Sequence, residues 1–120
     1  MNIFGALLVA VLIGAILPLQ GLVNARLGMH VGGPVVAAFV SFLVGTLMLG
    51  LYLLATRTPI ALQGSLKLPA WIWAGGAFGA IYVACFTLLI PRIGAAGMVC
   101  LAVLGQVTAS LLLDQFGILQ

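Results

Sequence analysis

Two amide side chains, Gln20 and Asn24, lie four residues apart directly after Pro18. In a helix this spacing places both amides on one face. Gln106 and Ser110 repeat the same spacing near the C-terminal end of the sequence. Amides and hydroxyls donate and accept hydrogen bonds without carrying a charge. These two faces therefore predict contacts with a polar ligand or with neighbouring helices.

The residues that catalysis requires are missing from the sequence. It contains no Glu, and its single acidic residue is Asp114. No nucleophile lies beside a base, and no metal-ligand cluster or phosphate-binding loop occurs, so we expect neither an enzyme nor a bound cofactor. Four basic residues are too few for a nucleic-acid-binding surface. The lack of an acid inside the apolar stretches also argues against simple cation/proton exchange.

The composition identifies the solvent of this chain as lipid. Hydrophobic residues make up 65% of the sequence and charged residues 4%, with a mean hydropathy of +1.41. Soluble domains carry about a quarter charged residues. The five charges all lie at the edges of long apolar stretches, and they are Arg26, Arg57, Lys67, Arg92 and Asp114.

The apolar stretches predict a single all-α, polytopic membrane domain with four transmembrane helices, because each crossing needs about 20 apolar residues. The predicted spans are residues 3–25, 34–56, 70–90 and 95–113. Pro18 is expected to break the first span, since proline removes a backbone hydrogen bond. A gap at residues 28–33 and a tight turn at residues 91–94 are predicted to separate neighbouring spans. A removable signal peptide is not expected, because no basic residue precedes the first apolar run.

Small residues inside the spans predict close helix packing, which in lipid relies on small side chains rather than on the hydrophobic effect. Gly75 and Gly79 form such a pair in the third span, and Ser41 and Gly45 form another in the second. The two cysteines, Cys85 and Cys100, fall within apolar runs and are predicted to be buried small side chains rather than a disulfide or metal pair.

The basic residues divide evenly between the two predicted membrane edges. Alternating crossings place Arg26 and Arg92 on one edge, and Arg57 and Lys67 on the other. The positive-inside rule then gives no preferred orientation. The balance predicts insertion in both orientations, and two opposed copies could pair; a small orientation bias set by the N-terminal amine or a partner is the alternative.

The polar residues within the spans have two interpretations each. Lining a cavity and bonding between helices remain equally open for Gln20, Asn24 and Gln106, since intramembrane amides usually face the bundle interior. Arg26 is interpreted as a membrane-edge anchor, with contact to an anionic or carbonyl-bearing substrate as the alternative. Hydroxyls can instead bond to their own helix, which is the interpretation favoured for Ser41, Thr46, Thr87, Thr108 and Ser110.

Four blocks of sequence resemble the YdcZ-type family of small bacterial inner-membrane proteins in the drug/metabolite transporter superfamily. They are Pro18-Leu-Gln-Gly-Leu-Val-Asn-Ala-Arg-Leu27, Ala37-Ala-Phe-Val-Ser-Phe-Leu-Val-Gly-Thr46, Pro91-Arg-Ile-Gly-Ala-Ala96 and Gly105-Gln-Val-Thr-Ala-Ser-Leu-Leu-Leu-Asp-Gln-Phe-Gly117. The resemblance covers nearly the whole chain. It implies a drug/metabolite-transporter-like helical fold in the bacterial inner membrane. Members of the family usually have a fifth helix after the last block, which is absent before Gln120; either the sequence is shortened or this is a compact four-helix version.

The resemblance also implies a transporter subunit that works as a homodimer or with a paired homologue. Its matched polar positions are Gln20, Asn24, Ser41 and Gln106, to which the polar pattern adds Arg26 and Ser110 as substrate-binding candidates. The leading hypothesis is an antiparallel dimer that moves a small metabolite through a site at the first helix. A dual-topology ion channel and a structural membrane subunit without its own transport are the alternatives. Lipid and a small-molecule substrate are the expected partners.

Overall fold

The computed structural model describes residues 2–61 and 67–117 and contains four long helices. Helix α1 spans Ile3–Val31, α2 spans Pro34–Ala55, α3 spans Gly75–Ile93 and α4 spans Ala95–Phe116. A short 3₁₀ helix, Ala70–Ala74, precedes α3 and carries two exposed tryptophans. All four helices are long and apolar enough to cross a membrane. The predicted all-α membrane fold with four transmembrane helices is therefore confirmed.

Glycine makes two of the connections very short. Gly32 and Gly33 join α1 to α2 with φ values of 114° and 127°, and Gly94 alone joins α3 to α4 with φ 90°. Residues other than glycine rarely adopt such backbone angles. Each of these helix pairs forms an antiparallel hairpin, and residues 56–69 link the two hairpins.

The bundle buries its side chains toward one membrane edge, and within the described ranges it buries none near the other edge. Its buried apolar residues are Ala37 and Ala38 near the start of α2, and Phe86 and Ile90 near the end of α3. Both regions lie at the edge that carries the Gly32–Gly33 connection, which we call the packed edge. Helix α3 contacts the other three helices, α2 and α4 do not touch each other within the described ranges, and α4 buries no residue.

Away from the packed edge, most of the small residues lie open. A Cβ added at Gly14, Gly45 or Gly75 would meet no atom within 4 Å, whereas one at Gly79 would lie 3.4 Å from the Phe42 ring. The predicted close packing at the small-residue pairs therefore holds within one copy only at Gly79. At the other positions the predicted packing is wrong within one copy. Four-residue spacing of small residues marks a smooth helix face but does not determine which helix packs against it.

The predicted break at Pro18 is wrong, because α1 continues through it without interruption. In hydrocarbon, unwinding a helix would expose more backbone groups than the one carbonyl that proline frees. The predicted gap at residues 28–33 is also too long, since α1 reaches Val31 and His30 lies in its last turn. The chain folds back onto Gly28, whose carbonyl accepts a bond from the Gly33 amide at 2.8 Å.

Two further predictions are corrected by the structure. The turn predicted at residues 91–94 is a single residue, because Pro91 and Arg92 lie inside α3. Cys85 and Cys100 are exposed rather than buried. A small apolar side chain gains little from leaving a lipid surface, so nothing drives these cysteines into the bundle.

Candidate functional site

Helices α1 and α3 approach each other closely at Gly21. A Cβ on this residue would lie 2.7 Å from Cδ1 of Phe86 and 3.0 Å from Cδ1 of Ile90. Only glycine allows that approach, and it brings the Gln20–Asn24 face of α1 against α3. Asn24 is 3% exposed as a result, an amide buried between two membrane helices.

A small polar cavity lies at this contact between α1 and α3. Its volume for a water-sized sphere is about 10 Å³, close to the minimum of about 10–15 Å³ that one water molecule requires. It is lined by Leu17, Gln20, Gly21, Asn24, Tyr82, Val83, Phe86 and Thr87. We call it the amide cavity.

Two buried polar atoms at the amide cavity have no hydrogen-bond partner among the described residues. They are Nδ2 of Asn24 and Oγ1 of Thr87, and Thr87 is only 2% exposed. A buried polar group without a partner costs about 1–3 kcal/mol. Thr87 also lies four residues before Pro91, which has no N–H to donate to the Thr87 carbonyl. The cavity therefore presents both donors and acceptors to a polar guest.

A second cavity, of about 20 Å³, adjoins the amide cavity and reaches α4. Tyr82 and Phe86 line both cavities, and their ring centroids are 5.6 Å apart. Gln106 also lines the second cavity, and its Nε2 donates to Oη of Tyr82 at 3.4 Å. Tyr82 thus lies between the amide cavity and the amide of α4.

The polar residues of the two cavities lie at two depths. Gln20, Tyr82 and Gln106 are each 11 residues from the packed-edge end of their helices, or about 16 Å at 1.5 Å per residue. That distance is half of a hydrocarbon core about 30 Å thick. Asn24 and Thr87 lie closer to the packed edge. The polar groups therefore run from the bilayer middle toward one edge.

The structure brings three of the six candidate residues to these cavities. Gln20 and Asn24 line the amide cavity, and Gln106 lines its neighbour. Arg26 is exposed and lines grooves on the outside of the bundle. Ser41 is half-buried on α2 and Ser110 is exposed on α4. Neither serine lines one of the two cavities.

The prediction that span hydroxyls bond to their own helix is confirmed at two positions. Oγ1 of Thr46 donates to the Phe42 carbonyl, and Oγ1 of Thr108 donates to the Leu104 carbonyl, both at 2.8 Å. For Thr87 the prediction is wrong, because its buried hydroxyl has no such bond.

Sequence reasoning missed Gly21 and Thr87 as members of this site, and it placed Tyr82 beside the amides only in the ion-channel alternative. Tyr82, Phe86 and Ile90 follow each other at four-residue spacing, which marks one face of α3. The position of Thr87 four residues before Pro91 was a further signal for an unsatisfied backbone group. Gly21 forms a small-residue pair with Ala25 at four-residue spacing, a signal for a close helix contact that sequence reasoning overlooked.

Comparison with known proteins identifies the family of the chain. Residues 5–120 match the family described as "Putative inner membrane exporter, YdcZ". No curated protein and no solved structure matches the chain. The family consists of transporters rather than enzymes, and its inner-membrane location fits the four apolar helices found here. The resemblance to the YdcZ type is thus confirmed, and the chain belongs to this family of inner-membrane exporters of the drug/metabolite transporter type.

Proposed function

We propose that the chain is one subunit of a dimeric exporter that moves a small neutral or weakly polar metabolite. The substrate contacts are the amides of Gln20, Asn24 and Gln106, together with Thr87 and Tyr82. The observation that carries the proposal is the pair of buried, partnerless polar atoms on Asn24 and Thr87. A guest that hydrogen-bonds to both would remove their desolvation cost.

The chemistry of the cavities favours a neutral substrate. None of the residues that line either cavity is charged. An ionised guest would lose its hydration without gaining a counter-charge, which is costly in a membrane interior. A hydroxyl or amide group on the guest could instead pair with the side-chain amides at no cost in charge.

The size of the cavities and the surface of α4 support a dimer. Ligand pockets usually have about 300–1,000 Å³, far more than the 10 and 20 Å³ of the amide cavity and its neighbour. Gln106 and Ser110 are both exposed on α4, which buries no residue. Intramembrane amides are costly when they face lipid, so we place a second copy against α4, where the pair would enclose a larger site.

We place the second copy in the opposite orientation. Arg26 and Arg92 at the packed edge balance Arg57 and Lys67 at the other edge, so neither orientation is favoured. Two opposed copies would form an inverted repeat, the arrangement that larger transporters hold within one chain. In such a pair the packed edge of one copy lies beside the opposite, unpacked edge of the other. Interconversion of the packed and unpacked arrangements would expose the central site to each side in turn.

A structural subunit is the competing function, and the size of the amide cavity favours it. A cavity of about 10 Å³ is near the minimum size for one water, and a single bridging water could satisfy both Asn24 and Thr87. The polar cluster would then only hold α1 against α3.

Export from cells separates the two functions. Small polar metabolites in the medium would be quantified for cells that produce the wild type or Asn24→Leu at equal membrane levels. The exporter predicts at least one neutral metabolite that the wild type enriches several-fold and the variant does not, while the purified variant keeps its melting temperature. A variant that fails to fold, or media that do not differ, would favour the structural subunit.

A further inference from the structure

The packed edge carries a group of basic side chains that the proposed transport site does not use. Arg26 is exposed on α1, His30 follows one turn later in the last turn of α1, and Arg92 lies in the last turn of α3. Nδ1 of His30 lies 3.0 Å from the Arg26 carbonyl oxygen. The single acidic residue, Asp114, is near the end of α4 at the opposite edge. The packed edge is therefore positive.

Arg26 separates two grooves on the outer surface of the bundle. The first lies between α1 and α3, has a volume of about 390 Å³ and is lined by Leu22, Ala25, Arg26, Met29, Ile90 and Pro91. The second is shallow and open, lies along α1 alone and is lined by Leu22, Val23, Arg26, Leu27 and His30. Apart from the arginine and the histidine, every lining residue is apolar. A single guanidinium thus lies where the α1–α3 groove meets the open apolar surface of α1.

The charge and the two apolar surfaces are complementary to a lipid with two acyl chains. A phospholipid carries one phosphate above two acyl chains, and here one cation lies between two apolar surfaces. Arg26 is five residues before the end of α1, or about 8 Å along the axis. A long arginine side chain can extend from that depth to the level of the headgroups. Guanidinium binds phosphate with two parallel hydrogen bonds.

We propose that Arg26 and its two grooves bind an anionic phospholipid. The phosphate pairs with the Arg26 guanidinium, one acyl chain lies in the α1–α3 groove, and the other lies along α1. His30 and Arg92 add positive potential at the same edge, which favours an anionic headgroup over a zwitterionic one. Arg26 then contributes to lipid binding rather than to the amide cavity, which it does not line. The inference does not depend on the proposed transport.

Lipid titrations of the purified full-length chain, followed by native mass spectrometry, test the site. Phosphatidylglycerol and phosphatidylcholine with identical acyl chains are the two probes. We expect the wild type to prefer phosphatidylglycerol and Arg26→Gln to lose about fivefold of that preference, the effect of one basic residue near an anionic lipid. Arg57→Gln is the matched control, since it removes an exposed arginine that lines neither groove. It should keep the wild-type preference.

A second variant tests the grooves rather than the charge. Leu22 lines both grooves and is half exposed, so Leu22→Trp should fill them without disturbing the packed residues. We expect it to weaken binding of both lipids, while inorganic phosphate at millimolar concentration should not displace bound phosphatidylglycerol. The proposal is overturned if the wild type does not prefer phosphatidylglycerol, if Arg57→Gln loses as much preference as Arg26→Gln, if Leu22→Trp binds lipid like the wild type, or if phosphate displaces the lipid.

Discussion

Asn24 of α1 and Thr87 of α3 line the same cavity, and each buries there one polar atom that bonds to no described residue. The two side chains lie on different hairpins, at similar distances from the packed edge. A membrane protein that is selected only for stability would be expected to pair such atoms or replace them with apolar groups. Substitutions of Asn24 and Thr87 can therefore separate a role in substrate binding from a role in folding.

Replacing Thr87 with valine should leave stability unchanged or raise it by about 1 kcal/mol. The substitution keeps the shape of the side chain and removes a buried hydroxyl that has no partner. The free energy of unfolding in detergent measures this effect, and the export assay should show loss of transport by the same variant.

Thr46→Val is the control for Thr87→Val. Its hydroxyl is exposed and bonds to its own helix, so both stability and transport should remain close to the wild type. A loss of more than about 1 kcal/mol in Thr87→Val would mean that the hydroxyl is bonded in the folded protein, which supports the structural subunit.

Substitution of Gly21 with alanine should destabilise the protein by about 1–3 kcal/mol, the usual cost of overpacking. The added methyl group would overlap the Phe86 ring and press on Ile90. Gly14→Ala provides the comparison on the same helix, since its Cβ would meet no atom within 4 Å. It should be neutral or stabilising by up to about 1 kcal/mol through helix propensity. Equal melting temperatures for the two variants would contradict close packing at Gly21.

A double-mutant cycle of Tyr82→Phe and Gln106→Leu should give a coupling free energy of about 0.6 kcal/mol, the average for hydrogen bonds between membrane helices. The Nε2–Oη distance of 3.4 Å is long, so a value well above 1 kcal/mol is not expected. The cycle uses unfolding free energies of the wild type, both single variants and the double variant. A coupling of zero would show that Gln106 and Tyr82 do not interact across α3 and α4.

Single charge removals should shift the orientation of the chain in opposite directions. Arg57→Gln leaves two arginines at the packed edge against Lys67, so the packed edge should become cytoplasmic and residue 117 periplasmic. Arg92→Gln should have the reverse effect. Phosphatase and fluorescent-protein fusions, which are active on opposite sides of the membrane, report the fraction in each orientation.

The wild type is the reference for both charge variants, and it should give signal with both reporters. A wild-type signal from one reporter alone would rule out an antiparallel homodimer. Identical signals from the wild type and both variants would show that these charges do not set the orientation.

The helices of this protein could be predicted from the sequence, whereas their packing could not. Hydropathy is a local signal, so the four spans were found, and the four-residue spacing of Gln20 and Asn24 correctly placed both on one face. The ends of the helices were harder to predict. Gly28, for example, is of a type that usually breaks a helix, although it lies within α1. The small size of Gly28 permits its close contact with Gly33, a residue that lies beyond the end of α1.

The membership of the amide cavity depended on tertiary contacts. Asn24 was a candidate because a polar amide in a membrane span is unusual, but its buried partner Thr87 looked like any hydroxyl that bonds to its own helix. Gly21 shows the difference most clearly. Its pairing with Ala25 marks a smooth face of α1, but the Phe86 ring that covers this face is 65 positions away in the sequence.

The unequal lengths of the connections divide the polypeptide into two helical hairpins. One or two residues close each hairpin, so α1 with α2, and α3 with α4, can each enter the bilayer as a complete unit. Residues 56–69 are the natural position for a genetic cut, because separately translated halves would keep both hairpins whole. The amide cavity lies on the seam between the halves. Its walls would therefore come from two gene products and could be exchanged one at a time.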